Sequence, residues 1–150
     1  VGFAKLSLKG RALKYLAQRE HSRVELARKL APHADDADDI DAVLDALQAA
    51  GWLSEERFVE SVLHRKAARL GAARIRQELQ GHGLAPEAVA GAVEQLRATE
   101  VERARAVWAR RFGGETPTET TERARQMRFL AARGFATEVI RRVVRGGEDD

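Results

Sequence analysis

Arginine is the side chain with the most chemistry to offer in this sequence. His64, Arg65, Lys66 and Arg69 precede Gly71, and Arg74 and Arg76 follow it. A second series runs through Arg103, Arg105, Arg110 and Arg111, then Arg123, Arg125, Arg128 and Arg133, and ends at Arg141, Arg142 and Arg145. The guanidinium fork matches the oxygens of carboxylates and phosphates, so as a group these residues can bind phosphate or an acidic protein surface. Glu78, Glu94, Glu102, Glu119 and Glu122 stand at helical spacings from some of them, and a solvated, partly paired face is an equally good reading of any single arginine. By charge and position, the candidates for contact with a partner are Arg65, Lys66, Arg69, Arg74, Arg76, Arg110, Arg111 and Arg133. Aromatic residues make up only 5%, too sparse for a base-stacking platform.

Other constellations exclude more than they suggest. Five aspartates fall between Asp35 and Asp41, but no glycine follows in the EF-hand position and the twelfth residue from Asp36 is Leu47. The four histidines, His21, His33, His64 and His82, lack zinc-ligand spacing, and the sequence contains no cysteine. Ser22, Ser54 and Ser61 lack a nucleophile elbow. Gly81-His82-Gly83 has no phosphate-binding continuation. The expectation is a protein with no catalytic centre, no cofactor and no metal.

Composition sets the class. The chain has 150 residues, 44% of them hydrophobic, enough for a packed core. No run approaches the roughly 18 apolar residues of a membrane span, and no leader-like segment opens the chain. With cysteine absent, a cytoplasmic, monomeric protein is the simplest reading. Net charge is +3, and residues 101–150 hold the whole excess, with 11 basic and 8 acidic side chains. A GC-rich genome would also favour arginine.

The elements that must position these side chains follow from an internal period. Leu30, Leu79 and Leu130 lie 49 and 51 residues apart, and Ile40, Val89 and Ile140 keep the same two intervals. Val43, Ala92 and Val143 extend the match, as do Leu44, Val93 and Val144. A period of about fifty residues fixes the architecture before any local assignment. Apolar positions recur with helical spacing throughout, and no strand-like alternation appears. The chain is therefore expected to be all-α, with three tandem three-helix repeats (1–51, 52–97 and 98–150) forming an elongated, curved body. Ser22, Ser54 and Thr137 read as N-caps, Ser22 with Glu25 as a capping box. The Asp35–Asp39 stretch is expected to open a helix. Gly51, Gly83 and Gly134 each follow a leucine-led helix end, and the apolar residue after each (Trp52, Leu84, Phe135) should plug the junction. The end of the chain from Gly146 should be frayed.

Several of these strings resemble the RecX regulatory proteins. They are Arg19-Glu20-His21-Ser22-Arg23 with Glu25-Leu26, and Gly51-Trp52-Leu53-Ser54-Glu55-Glu56-Arg57-Phe58. Gly71 with Arg74-Ile75-Arg76 and Glu78-Leu79, and Phe129-Leu130 with Arg133-Gly134-Phe135, complete the set. Together they run from about Leu8 to Val144. Ser54-Glu55 replaces a more usual acid pair, and Val59 a small residue. The resemblance implies tandem three-helix repeats and a modulator of the RecA recombinase. Such a protein binds the RecA–single-stranded DNA filament along its groove and inhibits strand exchange, ATP hydrolysis and the co-protease activity behind the SOS response. The eight basic residues then become candidates for contact with RecA or DNA. A helical DNA-binding protein acting without RecA is the alternative that the charge pattern leaves open.

Overall fold

The computed structural model describes residues 6–146, so the expected fraying beyond Gly146 falls outside the described residues. Nine α-helices occur among them and no strand does. The first repeat holds α1 (Leu8–Gln18), α2 (Arg23–Leu30) and α3 (Ile40–Ala49), and the second holds α4 (Glu55–Lys66), α5 (Ala72–Gln80) and α6 (Pro86–Ala98). The third holds α7 (Glu100–Phe112), α8 (Thr120–Ala132) and α9 (Thr137–Val144).

Local chemistry sets most of the boundaries. Ser22 Oγ accepts the Glu25 N–H at 3.1 Å and Ser54 Oγ the Arg57 N–H at 3.2 Å, each satisfying an orphan donor of a first turn. The Ser22 backbone N–H reaches back to the Glu25 carboxylate, which completes the capping box. Gly51 and Gly134 close their helices at φ 82° and 90°, in the left-handed region. Three expectations need correction. The aspartate stretch precedes α3 rather than opening it. Asp38 accepts the Asp35 N–H at 2.8 Å, so these side chains stabilise a turn, and only Asp39 caps the helix. Thr137 is the first residue of α9, with Ala136 at the cap position and no side-chain cap bond. Trp52 does not plug its junction; it is 59% exposed, and the neighbouring Leu53 is buried instead.

The described residues form two compact units, and these do not follow the repeats. The first unit runs to Ser61 and includes His82–Leu84. Its core is Leu8, Ala12, Leu26, Leu30, Leu44, Leu47 and Leu53. His82 belongs here because its Nδ1 lies 2.7 Å from Ser22 Oγ and its ring 4.6 Å from that of Phe58. The second unit holds Val62–Gly81 and the described residues from Ala85 onward. Its third-repeat core joins Ala104, Val107, Trp108 and Leu130 to Phe135, Ile140, Val143 and Val144. Leu30, Leu79 and Leu130, the periodic leucines, are all fully buried. Ile40 and Val43 are only half-buried, whereas their counterparts Val89, Ala92, Ile140 and Val143 are buried.

Within the second unit the backbones after α4 and α8 touch. Gly71 N–H donates to the Arg133 carbonyl at 2.8 Å, and Ala73 N–H to the Gly134 carbonyl at 3.3 Å. A Cβ on Gly71 would stand 2.3 Å from the Gly134 carbonyl carbon, so only glycine permits this approach. Gly71 offers no side-chain cap to α5, and the buried Glu100 supplies one, accepting the Ala72 N–H at 2.6 Å. Arg103 donates to the carbonyls of Ala67, Leu70 and Leu96 at 2.8, 2.6 and 2.8 Å. Burial presses the Arg103 pKa below its ordinary value, and the nearby Glu100 charge partly offsets this.

Candidate functional site

Three helix ends in the second unit bring arginines together. Arg69 follows the end of α4, Arg110 and Arg111 occupy the last turn of α7, and Arg133 is the C-cap of α8. Cationic side chains suit such ends, where backbone carbonyls carry the negative pole of the helix. The four line one cleft of about 310 Å³ with Val107 and Phe129, and no acidic side chain among the described residues lines it. Phe129, half-buried on α8, is the floor that orders the charges. The Arg133 guanidinium lies 4.9 Å from its ring centroid and that of Arg111 lies 5.5 Å away. Phe112 meets Phe129 edge-on at 5.3 Å and carries Arg125 at 5.2 Å. These cation–π contacts hold the guanidinium planes while leaving their N–H edges available. Arg110 donates to the Ala68 carbonyl at 3.0 Å; Arg69, Arg111 and Arg133 form no ion pair among the described residues.

The other four sequence candidates do not enter the cleft. Lys66 is paired with Glu78 at 2.6 Å, which neutralises its charge locally. Arg74 donates to the Ala132 carbonyl at 2.8 Å and so closes the end of α8. Arg65 and Arg76 are exposed on α4 and α5 without an ion-pair partner among the described residues. Composition alone gives Phe112 and Phe129 no functional weight, because aromatics are few. The signal was present in Arg125, Phe129 and Arg133, which recur every fourth residue and share one face of α8.

Arg125 is less free than its cleft neighbours. It bonds Glu122 at 2.9 and 3.0 Å, and Gln126 donates to the same carboxylate at 3.1 Å. The Arg125 and Gln126 hydrogen bonds hold the Glu122 carboxyl down to a pKa of about 2. Gln126 in turn accepts the Trp108 Nε1–H at 2.7 Å, tying this surface network to the core. In the first unit, the buried His21 is a satisfied core residue. Its Nδ1 donates to the Arg19 carbonyl at 2.9 Å and its Nε2 accepts from Lys29 at 2.8 Å. Burial pushes its pKa below the ordinary value. No group of three or more potential metal ligands, and no helix long and apolar enough to cross a membrane, occurs among the described residues.

Comparison with known proteins places this architecture. The family models of the first, second and third three-helix domains of RecX match residues 9–47, 54–93 and 98–144. Regulatory protein RecX of Leptothrix cholodnii is 61% identical over 140 residues, covering 93% of this chain and 88% of its own. Regulatory protein RecX of Ralstonia nicotianae is 53% identical over 143 residues, covering 95% and 89%. The crystal structure of RecX from Lactobacillus salivarius has the same fold, with a TM-score of 0.76 at 18% identity over 91% of this chain and 92% of that one. Three domain matches in chain order, together with relatives this similar over nearly the whole length, show that the chain belongs to the RecX family of regulatory proteins.

Proposed function

We propose that this protein binds RecA–single-stranded DNA filaments and inhibits their recombinase, ATPase and co-protease activities, tempering recombination and the SOS response. Family membership supports the regulatory role, and the arginine cleft is the observation that supports a polyanionic or acidic partner. Arg69, Arg111 and Arg133 have N–H edges free to meet DNA phosphates or acidic side chains of RecA. Bridging neighbouring RecA subunits would oppose subunit addition or the motions that accompany ATP turnover. The protein acts by binding, as a cytoplasmic monomer without a catalytic centre or cofactor.

Titrating the protein into a RecA ATPase assay on single-stranded DNA tests the reading, with turnover expected to fall as filaments are occupied. Arg69→Gln, Arg111→Gln and Arg133→Gln combined should weaken inhibition and flatten its salt dependence. The logarithmic slope should fall by about 0.7 for each phosphate contact removed. Inhibition by the triple variant that equals wild type at low salt, with the same salt slope, would refute the placement. Tighter binding to bare DNA than to RecA-coated DNA at physiological salt would favour a DNA-binding protein that acts without RecA.

A further inference from the structure

Four guanidinium groups in a single cleft, with no carboxylate among the described residues, present a charge density that neither a helix end nor a solvated face requires. The sequence as a whole is nearly balanced, with 26 basic and 23 acidic side chains, so local imbalance of this kind is selective. Arg111 and Arg133 are held against Phe129, which limits how far they can swing apart to relieve their repulsion. An anion that carries several charges within a small volume relieves it best. A lone carboxylate offers two oxygens to four donor-rich forks, and a nucleic-acid strand brings its charges one nucleotide at a time. A chain of linked phosphates brings several charges and many acceptor oxygens into a space of about 310 Å³.

We propose that the cleft of Arg69, Arg110, Arg111 and Arg133 is a binding site for a compact polyphosphate, the linked phosphate chain of a nucleoside triphosphate or of free tripolyphosphate. The ring of Phe129 is engaged by Arg111 and Arg133, and by Phe112 at its side, so the site holds the phosphates and not a base. If the same cleft meets the filament, which rests on the function proposed above, free polyphosphate competes with that partner and relieves inhibition.

Isothermal titration of the full chain, without RecA or DNA, tests the site. Tripolyphosphate should bind at one per chain in the presence of sulfate at matched ionic strength, and ATP should bind with the same affinity. Arg65→Gln with Arg76→Gln, both outside the cleft, should leave binding unchanged. Arg69→Gln, whose exposed side chain has no hydrogen-bond partner among the described residues, should weaken binding roughly tenfold, and Arg111→Gln with Arg133→Gln further still. Circular dichroism and thermal midpoints identify any variant that has lost its fold, and Arg69→Gln then carries the test alone. Absence of saturable binding, or equal binding by folded cleft variants, would overturn the proposal. So would much tighter binding of ATP than of tripolyphosphate, or of an unphosphorylated oligothymidine than of either. Binding that follows this pattern, in variants that still inhibit RecA like wild type, supports the polyphosphate site and refutes the cleft as the filament-binding face.

Discussion

Gly71→Ala tests the backbone contact on which the second unit is built. A Cβ there would lie 2.3 Å from the carbonyl carbon and oxygen of Gly134 and 2.4 Å from the Phe135 nitrogen, all backbone atoms. Carbon atoms rest about 3.5 Å apart at closest favourable contact, so the two segments must separate by about 1.2 Å. The Gly71–Arg133 hydrogen bond, now 2.8 Å, would stretch to about 4.0 Å and break. The longer Ala73–Gly134 bond would go with it. Leaving the buried Gly71 N–H unpaired costs about 1–3 kcal/mol, and the overpacking a further 1–3 kcal/mol or so. Reduced entropy of the unfolded chain returns about 0.4–1 kcal/mol. The net expectation is a loss of about 3 kcal/mol. Urea unfolding followed by tryptophan fluorescence measures it, in a Trp52→Phe background where buried Trp108 reports on the second unit alone. Gly91→Ala is the control. Gly91 sits within α6 with nothing near its absent Cβ, so alanine there should stabilise by about 0.5–1 kcal/mol. A loss below 1 kcal/mol for Gly71→Ala would refute the argument.

Leu79→Ala removes a fully buried periodic side chain and should cost roughly 2–5 kcal/mol in the same urea assay; a cost under 1 kcal/mol would show that the site collapses around the cavity. His21 should make the protein acid-sensitive. Its pKa is lowered in the folded state, so the unfolded chain binds a proton first, and stability is lost as pH falls below the ordinary histidine value of about 6.5. Unfolding midpoints between pH 7.5 and 5 should decline in wild type, and His21→Gln should decline less steeply; parallel slopes would assign the acid sensitivity to other groups.

The sequence made the repeats legible because core positions and stop signals are local. Leucines at fifty-residue intervals, serines three residues ahead of an N–H donor, and glycines that need a positive φ each carry their own physics. What stayed hidden depends on partners distant in sequence. Trp52 and Phe135 occupy matching places after Gly51 and Gly134, yet one is exposed and the other buried. The aspartates before α3 form a turn where a helix opening is expected, because both draw on the same side-chain chemistry. The compact units cut across the repeat for a similar reason. Phe58 and Arg57 of α4 are committed to His82 and Glu20 within the first unit. Lys66 at the far end of α4, and the Ala67 carbonyl just beyond it, belong to the second.

Arginine shows most plainly what only three dimensions supply. The junction after Gly51 is closed by Arg57, which donates to the Gly51 and Trp52 carbonyls at 2.7 and 3.2 Å. The junction at Gly134 is closed by Arg74 on the Ala132 carbonyl, and the end of α4 by Arg103. These arginines supply donors to helix ends that would otherwise leave carbonyls unpaired. By composition and spacing they are indistinguishable from Arg69, Arg111 and Arg133, which make no such bond. A basic residue on this scaffold is therefore a candidate for partner contact only after the helix ends have been satisfied. That accounting sets Arg74, which lies outside the cleft, beside the ion-paired Lys66, and leaves Arg110 of the cleft with only the donors that its bond to the Ala68 carbonyl does not use. It leaves the cleft beside Phe129 as a place where three arginines that the fold does not consume converge.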